Sequence, residues 1–148
     1  MGPRPVVQIG TGARILIAGQ APGRRVHESG VPFDDPSGDR LREWMGVTKE
    51  IFYDSEKVGI LPMGFCYPGT GKSGDLPPRR ECAPEWRERL LAAMPAIELT
   101  IVLGQYAQEY HLPDRAKTLT ETVRQWEGYW PSAIPLPHPS PRNNRWLK

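Results

Sequence analysis

Cysteine is scarce in this chain, and long apolar runs are missing. Cys66 and Cys82 are the whole complement, too few for a disulfide framework or for a metal site made of four cysteines. The sequence also lacks the extended apolar stretch of a signal peptide or a membrane span. These absences predict an intracellular, cytoplasmic protein with reduced thiols and no membrane contact.

Charge of one sign is also scarce, because the formal net charge is only +2. That excess is too small to indicate a nucleic-acid partner by itself. Basic residues are instead concentrated locally, at Arg24-Arg25 and at Arg142, Arg145 and Lys148. The 148 residues, of which 39% are hydrophobic, suffice for one compact domain, so we expect a single domain over residues 1–148 and a monomer.

Four short apolar runs, each stopped by glycine or proline, predict the strands of a sheet. The runs are Arg14 to Ala18, Val58 to Leu61, Leu99 to Leu103 and, more weakly, Ala133 to Leu136. Helical patterns lie between them, which is typical of parallel strands joined by crossover helices. The predicted fold class is α/β, with three α/β/α layers around a central, mainly parallel, four-stranded sheet.

The segment from Asp39 to Met45 has the apolar period of a helix. Leu41, Trp44 and the final methionine share one face, which we expect to pack on the sheet. Ser37 is a candidate N-cap, and Gly46 follows the last turn.

Two further helices are predicted, the first of them from Pro84 to Met94. One side of this predicted crossover helix is apolar and consists of Trp86, Leu90, Leu91 and Met94. The other side is polar and consists of Arg87, Glu88 and Arg89. A capping-box spacing starts the other helix at Thr118, with Val123 and Trp126 on one side. The Gly- and Pro-rich segment from Tyr67 to Pro78 is predicted to be a loop.

A glycine-rich segment, Gly19-Gln20-Ala21-Pro22-Gly23, directly follows the first predicted strand. In an open parallel sheet, ligands bind in the crevice at the carboxyl ends of the strands, where the crossover helices diverge. Glycines there let the backbone approach a ligand, and free amides can meet a carbonyl or a phosphate. Taken alone, the segment is equally typical of a simple turn.

An aromatic residue and two acids follow in a polar loop. Phe33 offers a face on which an extruded base can stack, a contact worth about 1–3 kcal/mol, although a lone aromatic is more often part of a core. Asp34 and Asp35 can orient a water or stabilise a developing sugar cation. Acids that precede a helix are also typical capping residues.

His138 stands in the segment His138-Pro139-Ser140-Pro141-Arg142-Asn143, where prolines limit the directions its ring can take. A neutral or protonated imidazole can donate a hydrogen bond to an oxygen that gains negative charge as a base departs. A lone loop histidine is usually solvated, but this setting favours a functional one. Ser140, Arg142 and Asn143 are candidate phosphate or backbone contacts.

From the first strand to its end the chain resembles the uracil-DNA glycosylase superfamily, and its segment from Gly19 to Gly38 resembles the iron–sulfur (family 4) branch. Those members read Gly-Glu-Ala-Pro-Gly, then Gly-x-Pro-Phe, then Ala-Gly. At unchanged spacing, this chain has Gly19-Gln20-Ala21-Pro22-Gly23, Gly30-Val31-Pro32-Phe33 and Ser37-Gly38. The resemblance implies that Phe33 stacks on the base, and we expect amides of Gln20 to Gly23 to hold the base edge.

The segment around His138 resembles instead the second motif of the single-strand-selective monofunctional glycosylases. That resemblance implies that His138 faces the uracil carbonyl. It also implies DNA contacts from the rest of the motif, namely Ser140, Pro141, Arg142 and Asn143. We expect Arg24 and Arg25 to add phosphate contacts.

The chain departs from family 4 at its cofactor and at its catalytic acid. Only Cys82 falls where one of the four cluster-binding cysteines is expected, so no iron–sulfur cluster, and no metal or other cofactor, is predicted. Gln20 replaces the family glutamate. Ala21 occupies the place where other families carry a catalytic aspartate or an asparagine.

The acid and the base-reading group must therefore lie elsewhere. A further glycosylase family that lacks the same acid is similar in having an aspartate shortly before Ser-Gly-Asp, which implies Asp35, with Asp34 and Glu28 as substitutes. Several families read uracil with an asparagine after the second strand. This chain has Leu61-Pro62-Met63-Gly64-Phe65 there, so the backbone of the last three residues is the candidate replacement.

The sequence thus favours a monofunctional DNA glycosylase that extrudes uracil or another deaminated base and hydrolyses its N-glycosidic bond with water. Its partner would be DNA containing such a base. One alternative is a catalytically weak module of the same fold that binds damaged DNA. Another is an enzyme acting on nucleosides or nucleotides, because glycine-rich loops at strand ends also bind phosphates.

Overall fold

A sheet of four parallel strands occupies the centre of the computed structural model, which describes residues 5–71, 74–78 and 86–139. In chain order the strands are β1 (Ile15–Ala18), β2 (Val58–Ile60), β3 (Thr70–Gly71), β4 (Gly74–Asp75), β5 (Leu99–Leu103) and β6 (Ala133–Leu136). The central sheet has the order β2-β1-β5-β6, and β3 and β4 form a separate antiparallel hairpin. The four predicted strands are confirmed to within one residue at each end.

The helices are α1 (Arg24–Ser29), α2 (Pro36–Met45), α3 (Lys49–Phe52), α4 (Glu88–Ala92), α5 (Gly104–His111) and α6 (Leu119–Arg124). Three of them, α1, α3 and α5, have no counterpart in the sequence-based expectations. None of the helices within the described residues is long and apolar enough to cross a membrane.

Alternating side chains of β1 divide the core into two layers, because successive residues of a strand point to opposite faces. Ile17 faces a cluster that includes Leu41 of α2 and Phe52 of α3. Leu16 faces the opposite cluster, which includes Met94 after α4. The predicted three-layer α/β/α architecture is thereby confirmed.

The segment before β1 covers the edge of the sheet beside β2. Gln8 exchanges two backbone hydrogen bonds with Ile60, of 2.9 and 2.8 Å, in an antiparallel bridge. Its side-chain amide donates to the carbonyls of Phe52 and Val58. Two residues earlier, the Val6 amide donates to the carbonyl of Phe65 at 2.7 Å. This edge is therefore paired rather than open to another chain.

Helix α2 differs from the expectation in its cap and in its buried face. Asp35, rather than Ser37, is the N-cap: its carboxylate accepts the Gly38 amide at 2.9 Å, because the helix begins at Pro36, three residues before the predicted start at Asp39. Trp44 is 39% exposed. Arg42 takes a buried position instead, because its guanidinium finds polar partners under the helix.

The apolar sides of the two later helices were also predicted incorrectly in part. Trp86 is 49% exposed, whereas Arg87, expected on the polar side, is fully buried and donates to two backbone carbonyls. Trp126 is 40% exposed because α6 ends at Arg124 and Trp126 begins a separate short 3₁₀ helix, Trp126–Gly128. Thr122 is the buried residue of α6.

The segment from Tyr67 to Pro78, predicted to be a loop, contains the β3-β4 hairpin. Gly69 has a positive φ of 104° and its carbonyl accepts the amide of Leu76 at 2.8 Å. Glycine at that position allows the chain to turn into the hairpin. Pro84 and Cys82 lie outside the described residues.

Gly38 lies where the first turn of α2 crosses the loop that carries Phe33. A Cβ atom at this position would overlap the carbonyl oxygen of Phe33 and lie 2.7 Å from its carbonyl carbon. Backbone atoms cannot yield as a flexible side chain does, so Gly38→Ala should lower the free energy of unfolding by about 1–3 kcal/mol. Urea denaturation followed by circular dichroism measures the change.

Gly128→Ala is the matched control for this substitution. Among the described residues beyond its immediate chain neighbours, no atom lies within 4 Å of a Cβ built at Gly128, so the change should stay within about 0.5 kcal/mol. Equal stabilities of the two variants would contradict the close packing of α2 on the Phe33 loop.

Candidate functional site

A pocket opens at the carboxyl end of β1, between β2 on one side and β5 and β6 on the other. The chain passes from β1 to β2 and then crosses to the opposite side of β1, so the strand order reverses here. The lining residues are Val6, Gly19, Gln20, Ala21, Pro22, Gly23, Val26, Pro32, Phe33, Asp35, Ser37, Ile60, Pro62 and His138. Residues from both predicted motifs thus meet in one pocket.

The glycine-rich segment is fixed by the chain that follows β2. The Met63 amide donates to the Gly19 carbonyl at 2.8 Å, and the Gly64 amide donates to the Gln20 carbonyl at 2.8 Å. Gly23 then caps α1 with an extended backbone. The segment is therefore a rigid connection between β1 and α1 rather than a free loop.

Phe33 lies over the glycine-rich segment in a backbone conformation that is rare for a residue with a side chain. Its φ is +57°, in the left-handed region that glycine favours. The tip of the ring would lie 3.4 Å from a Cβ at Gly19, so the glycine leaves room for it. The ring also packs on Phe52 in an edge-to-face arrangement, with ring centroids 6.0 Å apart. The ring is half-buried and is held at the pocket.

Two polar residues missed by the sequence analysis hold this loop from below. The Tyr53 hydroxyl donates to the Pro32 carbonyl at 2.6 Å, and Arg42 donates to the Phe33 carbonyl at 3.4 Å. Arg42 also pairs with Asp39 at 2.8 Å and lies 5.0 Å from the centroid of the Phe52 ring. The only sequence pattern that pointed to either residue was the i,i+3 spacing of Asp39 and Arg42.

Asp35 lines the pocket and at the same time caps α2. Burial raises the pKa of its carboxyl above the ordinary value. The hydrogen bond from the Gly38 amide and the positive charges of Arg25 and Arg42 act in the opposite direction. Asp35 is thus a partly desolvated carboxylate with two arginines nearby.

The two substitute acids do not line the pocket. Asp34 is half-buried, and its amide donates to the Val31 carbonyl at 3.3 Å. Glu28 is on the exposed side of α1, where it pairs with Arg24 at 3.2 Å. Of the three candidate acids, Asp35 alone is among the lining residues.

His138 reaches the same pocket from the end of β6. The prolines on both sides of it, Pro137 and Pro139, are buried and fix the direction of the chain. Its Cβ lies 3.7 Å from a Cβ built at Gly104, the first residue of α5. Burial lowers the pKa of the imidazole to about 4, so the ring is neutral at pH 7.

Helix α5 supports the strand that carries His138. Gln108 is buried, and its side-chain amide donates to the Leu136 carbonyl at 3.3 Å, two residues before the histidine. The sequence showed no pattern that would have identified this glutamine.

The expected base-reading segment packs mainly into the core. Of this segment, Leu61 to Phe65, Pro62 is the residue that lines the described part of the pocket. Met63 and Phe65 are each 7% exposed and belong to the two clusters on the α4 and α5 side. The amides of Met63 and Gly64 are already used, as described above. The role of these three residues in reading a base stays a prediction.

Arg24 and Arg25 are exposed at the start of α1, next to the pocket. The remaining predicted DNA contacts, Ser140, Pro141, Arg142 and Asn143, lie outside the described residues.

Within the described ranges, no three His, Cys, Asp or Glu side chains are arranged to hold a metal ion.

A protein family and a solved structure are similar to this chain. Residues 7–148 match the Uracil DNA glycosylase superfamily. A solution NMR structure of a Methanosarcina acetivorans protein, provisionally named a uracil DNA glycosylase, has a similar fold with a TM-score of 0.58. The two chains are 17% identical over 99% of this chain and 88% of that one.

His138 should titrate far below an ordinary histidine, with a midpoint near pH 4 because burial disfavours its charged form. The unfolded chain protonates this group below about pH 6.5 while the folded protein does not. The free energy of unfolding should therefore fall as the pH drops from about 6.5, by up to about 1.4 kcal/mol per pH unit from this histidine. NMR titration of the imidazole and denaturation at several pH values measure both.

The His138→Asn variant isolates this contribution, because His111 and the other titrating groups remain. Its stability should depend less steeply on pH than that of the wild type over the same interval. A His138 midpoint at or above pH 6.5 would contradict the buried, neutral imidazole.

Proposed function

Because the chain belongs to the uracil DNA glycosylase superfamily, we propose that it is a monofunctional glycosylase that releases uracil, or a related deaminated base, from DNA. The observation that supports this proposal is the convergence of Asp35, Phe33 and His138 on one pocket with the glycine-rich segment. These are an acid, an aromatic face and a neutral hydrogen-bond donor. Together these groups can stabilise the developing sugar cation, hold the extruded base and stabilise its negative charge as the N-glycosidic bond is hydrolysed.

Asp35 acts on the sugar. As the bond between C1′ and the base nitrogen breaks, positive charge develops on the sugar, and a carboxylate stabilises it or orients the attacking water. The water oxygen then bonds to C1′ and its proton leaves to the carboxylate or the solvent. Because the pKa of Asp35 is raised by burial, activity should be lost at low pH as this group becomes protonated.

His138 acts on the departing base. The bonding electron pair stays with the base and places negative charge on its carbonyl oxygens. A neutral imidazole stabilises that charge by donating an N–H hydrogen bond without giving up its proton. The lowered pKa of His138 suits this role, since a ring that is neutral throughout the physiological range needs no prior protonation.

The remaining lining residues hold the extruded base. Phe33 stacks on its face, and Gln20 and its neighbours contact its edge through backbone or side-chain amides. Arg24, Arg25 and the segment from Ser140 to Asn143 contact phosphates. No lysine lines the pocket among the described residues, so the proposed reaction leaves an abasic site and an intact strand.

Asp35→Asn separates the catalytic from the capping role of this residue, because asparagine caps a helix as well as aspartate does. Loss of the negative charge should slow base release from uracil-containing DNA by about 100-fold or more with little change in stability. Single-turnover assays on end-labelled oligonucleotides, single-stranded or paired with guanine, followed by alkali cleavage, measure the rate.

Asp34→Asn is the matched control and should retain near wild-type activity. Full activity of Asp35→Asn would assign the acid to another residue. A wild-type protein that binds uracil-containing DNA tightly without releasing base would be a damage-binding module. Release from free nucleosides but not from DNA would indicate a small-molecule enzyme.

Arg25→Gln tests the proposed phosphate contact beside the pocket. Each phosphate contact contributes about 0.7–0.9 to the slope of log Kd against log salt concentration, so the variant should bind more weakly and with a smaller slope. Fluorescence anisotropy at several salt concentrations measures it.

Arg14→Gln serves as the control, because Arg14 precedes β1 at the opposite end of the sheet and pairs with Glu98. Its slope should equal that of the wild type. Equal slopes for wild type and Arg25→Gln would exclude this contact.

A further inference from the structure

Arg87 is fully buried at the start of α4. One terminal nitrogen, Nη1, donates to the carbonyl of Leu61 at 2.9 Å and to the carbonyl of Pro62 at 3.0 Å. Burial lowers the pKa of the guanidinium to about 10, so the group is still charged at neutral pH. None of its hydrogen-bond partners within the described residues is a carboxylate.

The other side of the guanidinium faces His111, the last residue of α5. The Nη2 and Nε atoms of Arg87 lie 2.6 and 3.1 Å from the same imidazole nitrogen, Nε2. A guanidinium can only donate, so Nε2 must accept and the ring proton must be on Nδ1. Burial and the adjacent positive charge lower the pKa of His111 to about 3, in agreement with a neutral acceptor.

The two carbonyls held by Arg87 belong to the segment that borders the pocket. Pro62 lines the pocket directly. On its opposite side, the same segment donates three amides to β1 and its extension: Leu61 to Ile17, Met63 to Gly19 and Gly64 to Gln20. The segment is thus fixed between β1 and Arg87.

The geometry of these bonds requires an arginine. Two adjacent carbonyls and one imidazole nitrogen are contacted from different edges of a single planar group, which a guanidinium with five N–H donors can do. A lysine ammonium has three donors on one atom. It can reach the two carbonyls or the histidine, but it cannot contact all three acceptors at once. An apolar residue would remove the hydrogen bonds that Arg87 donates to two buried carbonyls, which favours displacement of the segment.

We infer that Arg87 is a positioning residue for the base pocket, which fixes Pro62 and, through the Met63 and Gly64 amides, the glycine-rich segment at Gln20. Its effect on activity rests on the function proposed above, whereas its effect on the segment does not. The competing interpretation is that Arg87 only stabilises the fold by joining α4 to α5.

The test compares Arg87→Met and Arg87→Lys with Leu112→Ala. Leu112 is buried directly after α5 and does not line the pocket, so its variant loses stability without touching the site. All proteins are assayed well below their melting temperatures, where they are folded. Single-turnover release of uracil from DNA and hydrogen exchange of the Met63 and Gly64 amides are measured for each.

Arg87→Met should lose about 10- to 100-fold in single-turnover rate, because small displacements of positioning groups cost this much. Exchange at Met63 and Gly64 should accelerate beyond the acceleration of the core amides of β5. Arg87→Lys should recover part of both properties. Leu112→Ala should keep its rate within about twofold of the wild type, with exchange that rises only in proportion to its lost stability.

The inference would be overturned if folded Arg87→Met had wild-type activity and wild-type exchange at Met63 and Gly64. It would also be overturned if Leu112→Ala changed the rate and the exchange as much as Arg87→Met does. If Arg87→Met does not fold, Arg87→Lys decides by the same two measurements. If the wild type releases no uracil, the proposed function fails, and hydrogen exchange alone decides whether Arg87 fixes the segment.

Discussion

The pairing of β1 on both of its sides is the constraint on which the pocket depends. Ile17 is in register with Ile60 of β2 and with Ile101 of β5, and β6 is aligned through β5. Because the strands are parallel, their carboxyl ends share one edge of the sheet. Asp35 and His138, about a hundred positions apart in the sequence, can line one pocket only because this register is fixed.

Buried arginines connect the helices that flank the sheet to the loops around the pocket. Arg42 donates to the Phe33 carbonyl, and Arg87 donates to the carbonyls of Leu61 and Pro62. Loops that leave a sheet carry carbonyls without partners in the ladder, and burying them without a hydrogen bond is costly. A guanidinium satisfies several at once and also fixes their relative positions. The loops at the pocket are irregular in path but are held in place by these contacts.

Much of the architecture could be predicted from the sequence because it depends on local patterns. Strands buried on both faces read as short continuous apolar runs, and the glycine-rich segment and His138 each follow such a run. The failures have a common cause. Arg42 and Arg87 are polar in any hydropathy pattern, and their burial depends on distant carbonyls. Trp44 and Trp86 are apolar in the same patterns, yet they remain exposed where no neighbouring element covers them.

The sequence by itself determined the four strands, their parallel pairing through crossover connections and the two segments that follow the strands at the pocket. Only the tertiary structure decided which acid lines the pocket. Asp34 and Asp35 are adjacent in the sequence, but the turn before α2 and the extended backbone of Asp35 at its N-cap place Asp35, and not Asp34, at the pocket. The neutral state of His138 was also decided there, since a pKa depends on burial and on surrounding charges that adjacent residues do not specify.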